Sequence, residues 1–146
     1  MTGLVVDSSV AAKWFLIEPF SGQALSLLKS GFELAAPSIL LVELDNVLVK
    51  RIRAELLARE LAEAIRVALR RMPIRIHDFA PLLDAAFDLA VRTRQTVYDC
   101  LFLALATLVD GQMVTADRRF YDGIPPGRLR ERLLWIGDVG SMSDGL

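Results

Sequence analysis

The 146-residue chain has one cysteine, Cys100, and one histidine, His77. A lone thiol excludes an internal disulfide and fits a reducing compartment. One Cys and one His also argue against a zinc site, which wants several thiolate or imidazole ligands. Long apolar runs are missing too. The longest, Cys100 to Val109 with Thr107 inside it, falls short of the ~20 residues that cross a bilayer. The start, Met1-Thr2-Gly3-Leu4-Val5-Val6-Asp7, lacks a basic stretch followed by an apolar one, so no secretory leader is expected. Excess charge of either sign is absent as well: the formal net charge is −1, which excludes a globally basic nucleic-acid binder. The expectation is a cytoplasmic protein with no membrane partner.

What is present is a core. Apolar residues make up 53% of the chain, enough to build one sizeable domain over residues 1–139, with a Gly/Ser/Asp tail, 140–146, expected to fray. Short β-branched or alternating runs predict strands at Leu4–Val6, Phe32–Ala36, Ile74–Ile76, Gln112–Thr115 and Leu133–Ile136. Helical spacing predicts helices over Val10–Ile17, around Ala24–Leu28, from Pro37-Ser38 to Leu48, over Glu55–Arg71, from Pro81 to Ala90, and at Asp117–Tyr121. The most apolar helix spans Thr96–Ala106, and Asp99 sits in its first turn. Alternating strands and helices predict an α/β domain whose mostly parallel sheet is covered by helices on both faces. In such sheets ligands bind outside the carboxyl ends of the strands.

That rule makes the acids informative. Asp7 closes the first strand, Asp117 follows the strand ending at Thr115, Asp99 opens the apolar helix, and Glu43 lies early in the helix after the second strand. Singly, Asp7 and Asp117 read as helix N-caps and Glu43 as a solvated helix residue. Asp99 resists a bland reading, because an apolar helix cannot replace the hydration its carboxylate loses. Four ionised acids on one rim repel one another, and a hard cation such as Mg²⁺ or Mn²⁺ with oxygen ligands removes the conflict. Such a site suits phosphodiester hydrolysis.

The segments Val5-Val6-Asp7-Ser8-Ser9-Val10, Leu41-Val42-Glu43-Leu44, Tyr98-Asp99-Cys100-Leu101-Phe102-Leu103-Ala104-Leu105-Ala106 and Val114-Thr115-Ala116-Asp117-Arg118-Arg119-Phe120 together resemble the PIN-domain family. More narrowly they resemble the VapC-type toxin ribonucleases of toxin–antitoxin pairs. The resemblance runs from Leu4 to about Ile136. It implies a three-layer α/β/α fold, a metal-dependent endoribonuclease, a cognate VapB-like antitoxin and commonly a homodimer. It also implies that Asp7, Glu43, Asp99 and Asp117 form the acidic quartet that binds Mg²⁺ or Mn²⁺. Ser9 and Thr115 correspond to hydroxyl residues placed to hold a metal-bound water or a phosphate oxygen.

Among the cations, Arg118 and Arg119 follow Asp117 and are candidates for RNA backbone contacts, with Lys13 a weaker one. Eight Lys or Arg residues fall between Lys50 and Arg75, where they either guide RNA or solubilise amphipathic helices. Trp14, Phe15, Phe102 and Trp135 are expected in the core rather than as base-stacking platforms. Other functions fit less well. A haloacid-dehalogenase-like phosphatase wants Asp-x-Asp after the first strand, and Ser9 stands at the second position. A phospho-receiver domain wants a basic residue after the last strand, where Trp135-Ile136-Gly137-Asp138 has none. The remaining alternative is a PIN-like interaction module without nuclease activity.

Overall fold

A computed structural model describes residues 3–140. The chain opens with strand β1 (Gly3–Val6) and helix α1 (Ser8–Ala11), which tightens into a 3₁₀ turn at Ala12–Trp14. Helix α2 (Ser21–Ser26) leads to β2 (Glu33–Pro37) and then to the helical hairpin α3 (Ile39–Arg53) and α4 (Arg59–Arg70). There follow β3 (Ile74–His77), α5 (Leu83–Thr93), α6 (Val97–Leu108), β4 (Gln112–Thr115), α7 (Arg118–Gly123) and β5 (Leu133–Trp135). The strand order is β3-β2-β1-β4-β5 and every pairing is parallel. This is the three-layer α/β/α architecture expected from the alternation of elements.

The order places a topological switch point between β1 and β4. From β1 the chain winds outward through β2 to β3, and from β4 it winds the other way to β5. Connections that leave in opposite directions open a crevice at the carboxyl ends of the two central strands. In the register Val6 faces Val114, so Asp7 and Thr115 are the next residues on either side of that crevice.

Helix α6 supports it from below. Seven consecutive residues, Cys100 to Ala106, are buried, and the helix packs on α5, β1, β2 and β4. A helix buried all round belongs in the middle of a core, which explains its lack of an amphipathic face. Its exit is tight: Asp110 takes a left-handed φ of 52°, and a Cβ on Gly111 would lie 2.4 Å from the carbonyl oxygen of Gly3. Only glycine lets this turn press against the start of β1.

Three expectations need correction. The first helix begins at Ser8 and ends by Trp14, not Ile17, which is 99% exposed. The indole N–H of Trp14 donates to the carbonyl of Ala24 (2.8 Å), and this pins the end of the turn under α2. The helix expected over Glu55–Arg71 starts only at Arg59. Glu55 adopts a left-handed φ of 59° as α3 terminates, and Leu57 packs into a satellite cluster with Leu48, Ala62 and Ile65. Third, Trp135 and Phe15 are only partly buried, whereas Trp14 and Phe102 are core residues as expected. Of the expected tail, residues 141–146 lie outside those described. Among the described residues, no helix is long and apolar enough to cross a membrane.

Candidate active site

Asp7 occupies the N-cap position of α1, yet its carboxylate does not cap the helix. It is buried, with 3% of its surface exposed, and it faces across the switch point instead. Oδ2 accepts from the hydroxyls of Thr115 (2.7 Å) and Ser9 (3.0 Å). Each hydroxyl accepts in turn from the β4–α7 turn, Ser9 from the Ala116 N–H and Thr115 from the Asp117 N–H. Two short relays therefore lock the end of β1 to the segment carrying Asp117. In this arrangement Ser9 and Thr115 position the acids, with both hydroxyl protons given to Asp7.

Asp99 is held by a different device. Its backbone N–H donates to Thr96 Oγ1 (3.1 Å), and the same hydroxyl donates to Asp99 Oδ2 (3.0 Å). This reciprocal arrangement resembles a capping box and fixes the carboxylate at the helix mouth. Asp117 does cap its helix, since Oδ1 accepts from the Phe120 N–H (3.1 Å). The capping reading is thus correct for Asp117 and wrong for the Asp7 side chain. Glu43, in the second turn of α3, has Oε1 buried with no hydrogen-bond partner.

The four acids form one electrostatic group. Burial pushes the Asp7 carboxyl up, and Asp117 adds to the shift. Burial, then Asp7 and Asp99, push Glu43 up to about 7, against a smaller lowering contribution from the Ser8 hydroxyl. Burial, then Asp7 and Asp117, push Asp99 up to about 6. Asp7 is the hub, coupled to each of the other three. Like charges crowded in a partly dehydrated crevice favour the neutral acids, or a cation that replaces the protons.

Asp99 and Asp117 open into a cavity of about 620 Å³, whose lining includes Arg94, Thr96 and Arg119. Arg119 is exposed and makes no ion pair among the described residues. Lys13 pairs with Glu18 at 3.3 Å and only 10% of its side chain is exposed, so its ammonium is already engaged. Arg118 pairs with Asp122 and lies over two aromatic rings. Sequence reasoning passed over Thr96 and Arg94. The Thr-x-x-Asp spacing ahead of an apolar run was a visible signal for Thr96; nothing in the sequence marked Arg94, which enters the cavity through a left-handed turn (φ 60°) after α5. His77 ends the edge strand β3, two strands from β1.

As the side chains stand, no three Asp, Glu, His or Cys groups among the described residues form a closed ligand cage. The donor set still suits one kind of ion. Mg²⁺ keeps several waters and takes one or two carboxylates together with substrate phosphates, rather than a cage made wholly of protein. A buried carboxylate oxygen with no donor is a group left waiting for a positive partner.

Comparison with known proteins identifies the family and the fold. A PIN-domain family model matches residues 4–123. The chain belongs to the PIN-domain family. Within that family its likeness is to VapC proteins: ribonuclease VapC3 of Pyrobaculum aerophilum is 32% identical over 124 residues, 84% of this chain and 95% of that protein. Among solved structures, VapC20 of Mycobacterium tuberculosis, a sarcin–ricin loop cleaving toxin, aligns with a TM-score of 0.64 at 19% identity, covering 86% of this chain and 98% of its own. A toxin–antitoxin complex from Klebsiella pneumoniae aligns with a TM-score of 0.62 at 18% identity, covering 90% and 95%. VapBC2 of Rickettsia felis, bound to a promoter DNA fragment, gives 0.60 at 17% identity, covering 91% and 96%. At these identities the structural likeness speaks for the fold alone.

The hydroxyl relay has a measurable consequence. Thr115→Val keeps the shape, removes a donor to the buried Asp7 carboxylate and leaves the part-buried Asp117 N–H without its partner. The expected cost is about 1–3 kcal/mol, which lowers the melting temperature by roughly 3–10 °C. Melting within a degree of wild type would show that the relay contributes nothing.

Proposed function

We propose that this chain is a divalent-metal-dependent endoribonuclease, the toxin of a VapBC-type pair, acting in the cytoplasm on an RNA substrate. The single observation that carries the reading is the coupled acidic group at the switch point, with Glu43 Oε1 buried and unpartnered inside it. Asp7, Glu43, Asp99 and Asp117 would together hold Mg²⁺ or Mn²⁺, one or two of them directly and the others through the waters the ion keeps. When bound, the ion supplies neutralising charge for the phosphodiester and lowers the pKa of water.

The protein's own residues do the rest. Ser9 and Thr115 keep Asp7 aimed into the crevice, and Thr96 fixes Asp99 at its mouth. Arg119 and Arg94 line the polar cavity beside these acids and supply positive charge for the RNA backbone. The arginines of the helical hairpin have more local work: Arg51 pairs with Glu18, Arg59 with Glu63 and Arg66 with Asp45.

An antitoxin partner of the VapB kind fits the groove of about 430 Å³ between α3 and α4. Leu48, Val49, Ile52 and Ala62 give it an apolar lining, together with Arg53 and the Arg59–Glu63 and Arg66–Asp45 ion pairs. A second copy of the chain fits the outer face of α5, where Leu83, Phe87 and Val91 are exposed at four-residue spacing. Apolar groups gathered on one face mark an interaction surface more often than chance exposure does.

The experiment is cleavage of total RNA by the full chain, with the new ends sequenced. Cleavage is expected in Mg²⁺ or Mn²⁺, abolished by excess chelator and restored by metal. Undiminished cleavage in chelator would remove the metal from the mechanism. No cleavage at all, together with no calorimetric signal at millimolar metal, would favour an interaction module without nuclease activity.

A further inference from the structure

Beside the acids lies a feature that metal chemistry does not use. Trp135, the last residue of β5, pairs in register with Thr115, the residue that holds Asp7. Paired residues of neighbouring strands project from the same face of the sheet, about 4.8 Å apart. The indole therefore emerges one strand away from the acidic group. Gly137 makes room for it: a Cβ there would sit 2.7 Å from the indole nitrogen. Phe20 meets the indole edge-on at 5.7 Å, and Tyr121 lies tilted against it at 5.8 Å.

On these rings rests Arg118, the residue after Asp117. Its guanidinium carbon lies 4.8 Å from the Trp135 ring centroid and 5.4 Å from that of Tyr121, and its Nε donates to Asp122 at 3.2 Å. Tyr121 is itself clamped from another side by Arg130, at 4.0 Å. An exposed arginine is ordinarily free to sample many rotamers. This one is held by two rings and a carboxylate, yet 59% of its side chain stays exposed. Asp122 offsets its charge, so its exposed guanidinium is a supported group rather than a free cation. Arg119, exposed and without an ion pair among the described residues, suits a phosphate better.

We propose that Arg118, backed by Trp135 and Tyr121, is a stacking platform for one unpaired nucleobase of the RNA, next to the phosphate held at the acids. Guanidinium planes and aromatic rings are the surfaces on which splayed single-stranded bases stack. The inference rests on the ribonuclease reading for its ligand, and it makes Arg118 a binding residue and Trp135 a positioning residue.

The test is fluorescence anisotropy of a short, labelled, single-stranded oligoribonucleotide with the full chain, in Mg²⁺ and in an Asp99→Asn background so that the probe stays intact. One abasic site is walked through the probe. Arg118→Lys keeps the charge and loses the plane. It is expected to weaken binding roughly tenfold, with the salt dependence unchanged. With Arg118 in place, the abasic site is expected to cost a similar factor at one position only, and that dip disappears in Arg118→Lys. Trp135→Leu should behave like Arg118→Lys, and Trp135→Phe should retain most of the affinity. Equal binding by Arg118→Lys, a flat abasic walk, or no binding at all would each overturn the platform. Wild-type cleavage in Mn²⁺, assayed in parallel, separates the two readings. Cleavage with a flat walk removes the platform alone, whereas a single-position dip without cleavage removes the nuclease alone.

Discussion

Asp99→Asn is expected to lower RNA cleavage by at least 10²–10³-fold, on the order of what removing one essential electrostatic contact costs, while leaving thermal stability undiminished. The side chains are nearly isosteric, and the backbone N–H of residue 99 still donates to Thr96 Oγ1, so the start of α6 stays capped. What disappears is one negative charge from a group in which Asp99 helps to push Glu43 up. In the metal-free protein the substitution relieves repulsion, and the melting temperature is expected to hold or rise. Cleavage assays and thermal melts on the same preparation check both halves. A stable variant with full activity would reduce Asp99 to a helix-capping acid. A variant that melts early would show that its carboxylate matters to the fold rather than to the chemistry.

The fold was legible because its signals are local and repeated. β-branched runs such as Leu4–Val6 and helices at 3.6-residue spacing predict the alternation, and the alternation predicts the parallel sheet. Asp7, Asp99 and Asp117 stood out because each lies at or near an element boundary, where topology leaves little choice of direction, whereas Glu43 lies a turn inside α3. What failed depended on contacts distant in sequence. Asp7 reads as an N-cap until the register brings Thr115, 108 positions away, to within 2.7 Å of its carboxylate. Trp135 reads as core because it follows Leu133 and Leu134. Its partial exposure comes from its place on an edge strand under Arg118. Glu55 lies in a helical pattern, yet it turns left-handed because packing Leu57 against the hairpin cluster ends the helix early.

Glu43→Gln is expected to stabilise the metal-free protein and to abolish its response to metal. The Glu43 carboxyl, ordinarily near 4.5, is pushed up to about 7 by burial and by Asp7 and Asp99. Between those two values the folded chain holds a proton that the unfolded chain has lost, so stability falls as the pH rises through this interval and the loss is complete above about 7. Glutamine carries no such penalty. With the half-buried side chain screened by solvent, the difference is about 1–2 kcal/mol, which raises the melting temperature of the variant by roughly 3–6 °C at pH 8 in chelator. Near pH 4.5 the two proteins should melt together. Saturating Mn²⁺ reverses the order. An ion that binds only the folded chain stabilises it by about 2.7 kcal/mol at a hundredfold excess over Kd, and it requires the carboxylate ionised. Wild type therefore gains most at high pH, where it is otherwise weakest, and Glu43→Gln gains little. Melting curves at both pH values, with chelator or Mn²⁺, reveal whether the order crosses. If wild type is the less stable protein in every condition, Glu43 is a strained acid without an ion. If wild type is the more stable in chelator at pH 8, the repulsion attributed to this crevice is absent.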